Sequence, residues 1–76
     1  MRNINEIIGK IKVKVSIIDK KEIHTILDKD VATALKITGN RLSIHKKRQT
    51  IPYVRIMDWC YTNNVSMKEI FYGAGK

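Results

Sequence analysis

Residues 28–53 read DKDVATALKITGNRLSIHKKRQTIPY, and this stretch decides the fold. Asp28 is a good helix N-cap, and Asp30 suits the positive end of a helix dipole. The spacing predicts a helix over 29–36 with Val31, Ala32 and Leu35 on its inner side. Ile37-Thr38-Gly39 then breaks the pattern. Thr38 is placed to cap a second helix over 39–48, with Leu42 as its apolar anchor and His45 following on the same side. Two short helices with so brief a link form a helix-turn-helix. Ala32 is small enough to let the pair approach, and Ile37 and Leu42 fill the angle between them.

Reading outward, Pro52 sits where a helix tolerates proline, at the first position. A helix over 52–63 follows, with Tyr53, Ile56, Met57, Cys60 and Tyr61 as its inner face and Asn63-Asn64 as its end. Ser66 to Glu69 spells a capping box for a last helix over 67–72 that stops at Gly73. Upstream, Ile4, Ile7, Ile8, Ile11, Val15 and Ile18 lie at helical spacing, while Ile11, Val13, Val15 and Ile17 also alternate as a strand would. The helical stripe is longer, so 3–18 is assigned to a helix in spite of Gly9. Residues 19–27 are read as a connection, extended from Glu22 to Ile26. The expected architecture is all-α: a compact five-helix bundle containing a helix-turn-helix, one domain over 1–76.

At 76 residues the chain has room for one core. Its stability is expected to be about 4–11 kcal/mol. A surface used for binding is a better expectation than a deep substrate pocket. Fifteen Lys and Arg against seven Asp and Glu give a net charge of +8. Residues 31–57 carry Lys36, Arg41, Lys46, Lys47, Arg48 and Arg55 and no acid at all. A solvated helix face normally mixes signs, so an acid-free stretch is shaped for a polyanion.

Helix geometry applied to 39–48 turns Asn40, Ser43, Ile44 and Lys47 outward when Leu42 faces in. The second helix of such a pair enters the DNA major groove with its N-terminal residues on base edges. Thr38, Asn40, Arg41, Ser43, Ile44 and Lys47 are therefore the expected base contacts. Asn40 is suited to adenine N6 and N7, and Ile44 to a thymine methyl. Gly39, Lys46, Arg48 and Arg55 are the expected phosphate contacts, the first through the helix N-terminal amides.

The stretches DKDVATALKIT, LSIHKKRQTIPY and NVSMKEIFYG resemble the N-terminal DNA-binding domain of phage CI-type repressors. That family shows an L-A-x-x-L-G-(I/V)-S segment, a recognition helix ending W-K-K-R, an I-P-Y linker and a closing G-I-S-x-x-W-L-L-x-G. Val31-Ala32 with Leu35 matches the first piece, and Lys46-Lys47-Arg48 with Ile51-Pro52-Tyr53 the second. Val65-Ser66 with Ile70 to Gly73 matches the third. The likeness covers about residues 28–73. Lys36 stands where the family has glycine for a positive φ, His45 stands for the usual Trp, and the stretch before Asp28 is longer. The resemblance implies a sequence-specific repressor that binds a two-fold operator of double-stranded DNA as a homodimer. Such repressors usually carry a C-terminal self-cleaving or oligomerisation domain, so the resemblance implies either the DNA-binding domain of a longer repressor or a short stand-alone regulator.

No cofactor, metal or catalytic site is expected. His24, His45 and Cys60 are scattered, with no HxxxH or CxxC, and Ser43 and Ser66 lack a base nearby in sequence. Cys60 is expected to be buried and inert. Trp59 lies beside the inner stripe of its helix, and with Met67 and Phe71 it is assigned either to the core or to a dimer contact. Without a membrane-length apolar run, the chain is expected in the cytoplasm, at the nucleoid. The rival function is a helical protein-interaction module, an antirepressor or adaptor, whose basic face meets an acidic protein. RNA binding is a third reading, weakened because Tyr53 is the only aromatic in the basic window.

Overall fold

The computed structural model describes residues 3–72, and every regular element among them is helical. α1 spans Ile4–Ile18, α2 Asp28–Ala34, α3 Gly39–Arg48, α4 Tyr53–Asn63 and α5 Met67–Tyr72. The chain is all-α with five helices, as the periodicity predicts. Gly73, the expected stop of the last helix, lies outside the described residues. No helix among the described residues is long and apolar enough to cross a membrane.

α1 begins where the Asn3 side chain accepts the Glu6 N–H at 3.0 Å. Its inner face is Ile4, Ile7, Ile8, Ile11 and Val15, all buried. Each such aliphatic side chain contributes about 1.5–3 kcal/mol by leaving water. Val13 and Ile17, the residues that spoke for a strand, are exposed. Ile18 is also exposed, so the buried stripe ends at Val15. The stretch from Glu22 to Ile26 is not extended throughout. Ile23–Thr25 makes one 3-10 turn, in which both the N–H and the hydroxyl of Thr25 donate to the Glu22 carbonyl at 3.0 and 2.7 Å.

α2 starts one residue early. Asp28 lies inside it and Leu27 occupies the cap, while the Asp30 carboxylate reaches back to accept the Leu27 N–H at 2.8 Å. The expected cap at Asp28 is thus replaced by Asp30, which frees the Asp28 carboxylate for partners on other helices. α2 also ends at Ala34 rather than at 36, because Lys36 turns left-handed at φ 59. Here the chain keeps the backbone shape that the resemblance assigns to glycine, with a lysine in it.

The same ending recurs. Lys20, Lys36, Gln49 and Asn64 all have positive φ, and each follows a helix. In each case the next residue's N–H closes a six-residue loop: Lys21 to Ser16 at 2.9 Å, Ile37 to Ala32 at 3.0 Å, Thr50 to His45 at 3.0 Å and Val65 to Cys60 at 2.8 Å. These bonds satisfy helix carbonyls that would otherwise have no partner.

The inner face of α4 differs from expectation. Ile56, Trp59 and Cys60 are buried, while Met57 and Tyr61 are exposed, Tyr61 at 91%. Tyr53 is partly open and leans on Phe71, with ring centroids 5.5 Å apart. Burying the indole of Trp59 removes more apolar area than burying a tyrosine whose hydroxyl needs a partner, so the helix turns Trp59 inward. Pro52 precedes α4 at its cap instead of occupying its first turn. In α5 the Ser66 Oγ accepts the Glu69 N–H at 3.3 Å, but the Glu69 carboxylate does not reach back; it pairs with Lys14 of α1 at 2.5 Å. α2 packs on α3, and α1 lies across α2, α3 and α5. One core holds them together, from Ile4 on α1 through Val31, Ala32, Leu35 and Leu42 to Ile70 and Phe71 on α5.

Candidate nucleic-acid interface

α3 runs from Gly39 to Arg48, the bounds read from the sequence. Its start is fixed by Thr38, whose Oγ1 accepts the Arg41 N–H at 3.0 Å. That hydroxyl is engaged in the cap through one of its two lone pairs, so the base contact expected of Thr38 would have to share the oxygen with the cap. Leu42 is the one residue of α3 that is fully buried, at 1% exposure. Taking Leu42 as the inward direction, Lys47, Asn40 and Ile44 point roughly 140–200° away. All three are exposed, as are Ser43, Arg41 and Arg48 on the flanks. Ile44 keeps 43% of its surface open.

Lys46 behaves differently from its neighbours. It lies on the inward flank, and its Nζ meets the Asp28 carboxylate at 2.5 Å. Lys12 of α1 meets the other oxygen of the same carboxylate at 2.8 Å. The two ammonium groups hold the Asp28 carboxyl below the usual carboxylate range, Lys12 most strongly, against a smaller opposing effect of burial. One carboxylate therefore ties α1, α2 and α3 together. Lys46 serves as an internal tie before it can serve as the phosphate contact read from the sequence. Nothing in the local sequence signals this, since Lys12 and Lys46 lie 16 and 18 residues from Asp28.

His45 is half-buried on the same inward side, with Nδ1 2.8 Å from Thr50 Oγ1. It fastens α3 to the link that follows. Arg55, in the first turn of α4, is exposed and borders an open cleft together with Lys36, Thr38, Arg41, His45 and Tyr53. Lys36 was marked in the sequence for its place in the turn but was not among the expected DNA contacts. Its signal was there, as a cation at the position where the turn needs left-handed backbone.

Of the two uses expected for Trp59, Met67 and Phe71, the core is the one observed for Trp59 and Phe71, which are therefore not open for the dimer contact. Trp59 and Phe71 are buried in this chain's own core, at 6% and 7% exposure, as part of one apolar cluster with residues of α1, α2 and α3; of the three, only Met67 is open. The exposed apolar residues of α4 are Tyr53, Val54, Met57 and Tyr61. Cys60 is buried as expected, and burial pushes its thiol pKa up. Comparison with protein-family models, with curated proteins and with solved structures finds no match to this chain.

Proposed function

We propose that this chain is a sequence-specific DNA-binding transcriptional regulator, a repressor of phage or mobile-element type, that lays α3 in the major groove and acts as a dimer. One observation carries the reading: the outward side of α3 presents Asn40, Ser43, Ile44 and Lys47 clear of the chain's own packing, inside a stretch that has no carboxylate. Exposure supplies access, and the absence of acids supplies a field that a phosphate backbone does not have to overcome. Asn40 can pair with adenine through two hydrogen bonds, and Ile44 gives a thymine methyl an apolar contact. Lys47 and Arg48 are long enough to reach phosphates beside the groove. Leu42, the Thr38 cap and the Lys46–Asp28 pair fix the helix from behind, so its outward side chains keep a defined register. The dimer and the repressor role rest on the resemblance over residues 28–73.

The test is titration of a labelled duplex, selected from a random pool, followed by anisotropy across a range of salt. Lys47→Ala is expected to weaken binding to all sequences and to make the salt slope shallower by about one unit. Asn40→Ala is expected to cost about 1–3 kcal/mol on the selected duplex and to relax one base position. Wild-type affinity in both variants would overturn the docking of α3. Equal affinity for unrelated duplexes would remove the claim of sequence specificity.

A further inference from the structure

Three cations from three different elements border one cleft. Lys36 comes from the turn after α2, Arg41 from the first turn of α3 and Arg55 from the first turn of α4. The cleft also takes in Thr38, His45 and Tyr53, and no carboxylate lines it. Among the described residues none of the three cations is in an ion pair; the lysines that are paired are Lys12, Lys14 and Lys46. Lys36 and Arg55 also border the neighbouring groove, where Asp19, Asp30 and Asp58 lie, and neither has paired with any of them. Like charges repel unless something of opposite sign joins them. A cleft bordered by three cations without an ion-pair partner, and lined by no carboxylate, is suited to an anion.

The position is costly as well as charged. Lys36 holds φ 59, a conformation that strains a residue with a Cβ and costs glycine nothing. A lysine there gives the cleft a charge that glycine cannot give. From α3 the cleft takes Arg41 and His45, which lie on one flank of the helix, about 100° and 60° from Leu42, on the opposite flank from Ser43.

We propose that Lys36, Arg41 and Arg55 form one phosphate-binding clamp. The ligand is a phosphate group held by guanidinium and ammonium donors, for which the forked geometry of arginine is suited. On the DNA reading above, on which this source depends, the group is a backbone phosphate at the edge of the groove that α3 enters. Arg41 then positions the chain on the duplex and does not read a base.

The full chain is used, with Arg41→Gln plus Arg55→Gln as the principal variant and Lys29→Gln as a control cation outside the cleft. All three positions are exposed, and circular dichroism checks that each variant folds. In the first arm, duplex affinity is measured against salt. Losing two contacts is expected to flatten the slope by about 1.8 units, which corresponds to roughly 30-fold weaker binding at about 0.15 M salt, with Lys29→Gln near wild type. In the second arm, thermal unfolding is followed with inorganic phosphate or a nucleoside monophosphate against chloride at equal ionic strength. A rise in midpoint for the wild type that is lost in the double variant, with the duplex slope unchanged, supports the clamp and assigns it to a free phosphorylated ligand. If neither arm separates the double variant from Lys29→Gln, the clamp is overturned. A wild-type chain that binds no duplex yet responds in the second arm loses the DNA reading and keeps the clamp.

Discussion

Lys36 lets backbone strain and function be separated in a single substitution. Its φ of 59 costs a residue with a Cβ about 1–2 kcal/mol relative to right-handed backbone. Lys36→Gly relieves that strain, and the greater freedom of glycine in the unfolded chain returns about 0.5–1 kcal/mol of it. The net expectation is about 0.5–1 kcal/mol of added stability. For a domain of this size that is a rise in midpoint of roughly 2–8 °C. The Ile37 N–H to Ala32 carbonyl bond that closes the turn needs no side chain at position 36, so the change leaves it intact. The same substitution takes one cation from the clamp, so duplex binding should weaken and its salt slope lose up to about one unit. Lys36→Ala is the control. It loses the charge and keeps the Cβ, so it should bind as poorly as Lys36→Gly without any gain in stability. Thermal and urea unfolding, with anisotropy on the same samples, read both effects. A Lys36→Gly chain no more stable than Lys36→Ala would refute the strain argument, and one that binds duplex like the wild type would remove Lys36 from the clamp.

The remaining predictions concern the parts that hold the interface in place. Asp28→Asn removes a carboxylate shared by Lys12 and Lys46; because these groups are partly exposed, the expected loss at neutral pH is only about 0.5–1 kcal/mol. Its folded pKa is lowered, so this contribution is present above the unfolded carboxylate value near 3.9 and is lost as pH falls through the lowered folded value. Urea curves of the two chains should converge in that acid range, and an Asp28→Asn chain more stable than wild type at pH 7 contradicts the tie. Thr38→Ala should cost about 1 kcal/mol through the lost α3 cap, whereas Thr38→Ser should cost little; equal losses in the two would mean that the hydroxyl bond to Arg41 N–H is not what matters. Cys60, buried and with its thiol pKa raised, should react with iodoacetamide only as fast as the chain opens, and labelling in buffer at the rate seen in guanidinium chloride would show that the thiol is accessible.

The helices themselves were legible because their signals are local. α3 has its cap, its single apolar anchor and its bounds written within eleven residues, and the isoleucine spacing of α1 outweighs the competing alternation. The inner face of α4 was misread for a physical reason. Tyr53, Met57 and Tyr61 fall at helical intervals as convincingly as Ile56 and Cys60 do, and only packing against the rest of the core decides that Trp59 goes inside. The role of Asp28 was hidden because both of its partners are remote in the chain. A one-dimensional reading sees an acid before a helix and gives it the nearest use, which is capping. The clamp was half visible: Arg41 and Arg55 stood out as cations, but that they meet Lys36 in one cleft follows from the folded turn.

α1 supplies Ile4, Ile7, Ile8, Ile11 and Val15 to the core and packs across both α2 and α3. The α2–α3 pair therefore cannot be trimmed to a minimal peptide. A fragment beginning after residue 18 would leave Val31, Leu35 and Leu42 facing water on the side that α1 now covers, and Asp28 would keep only one of its two partners. Whatever loosens α1, whether heat, a protease or a competing ligand, should slacken α3 with it, so a helix packed behind α3 governs the surface on its far side.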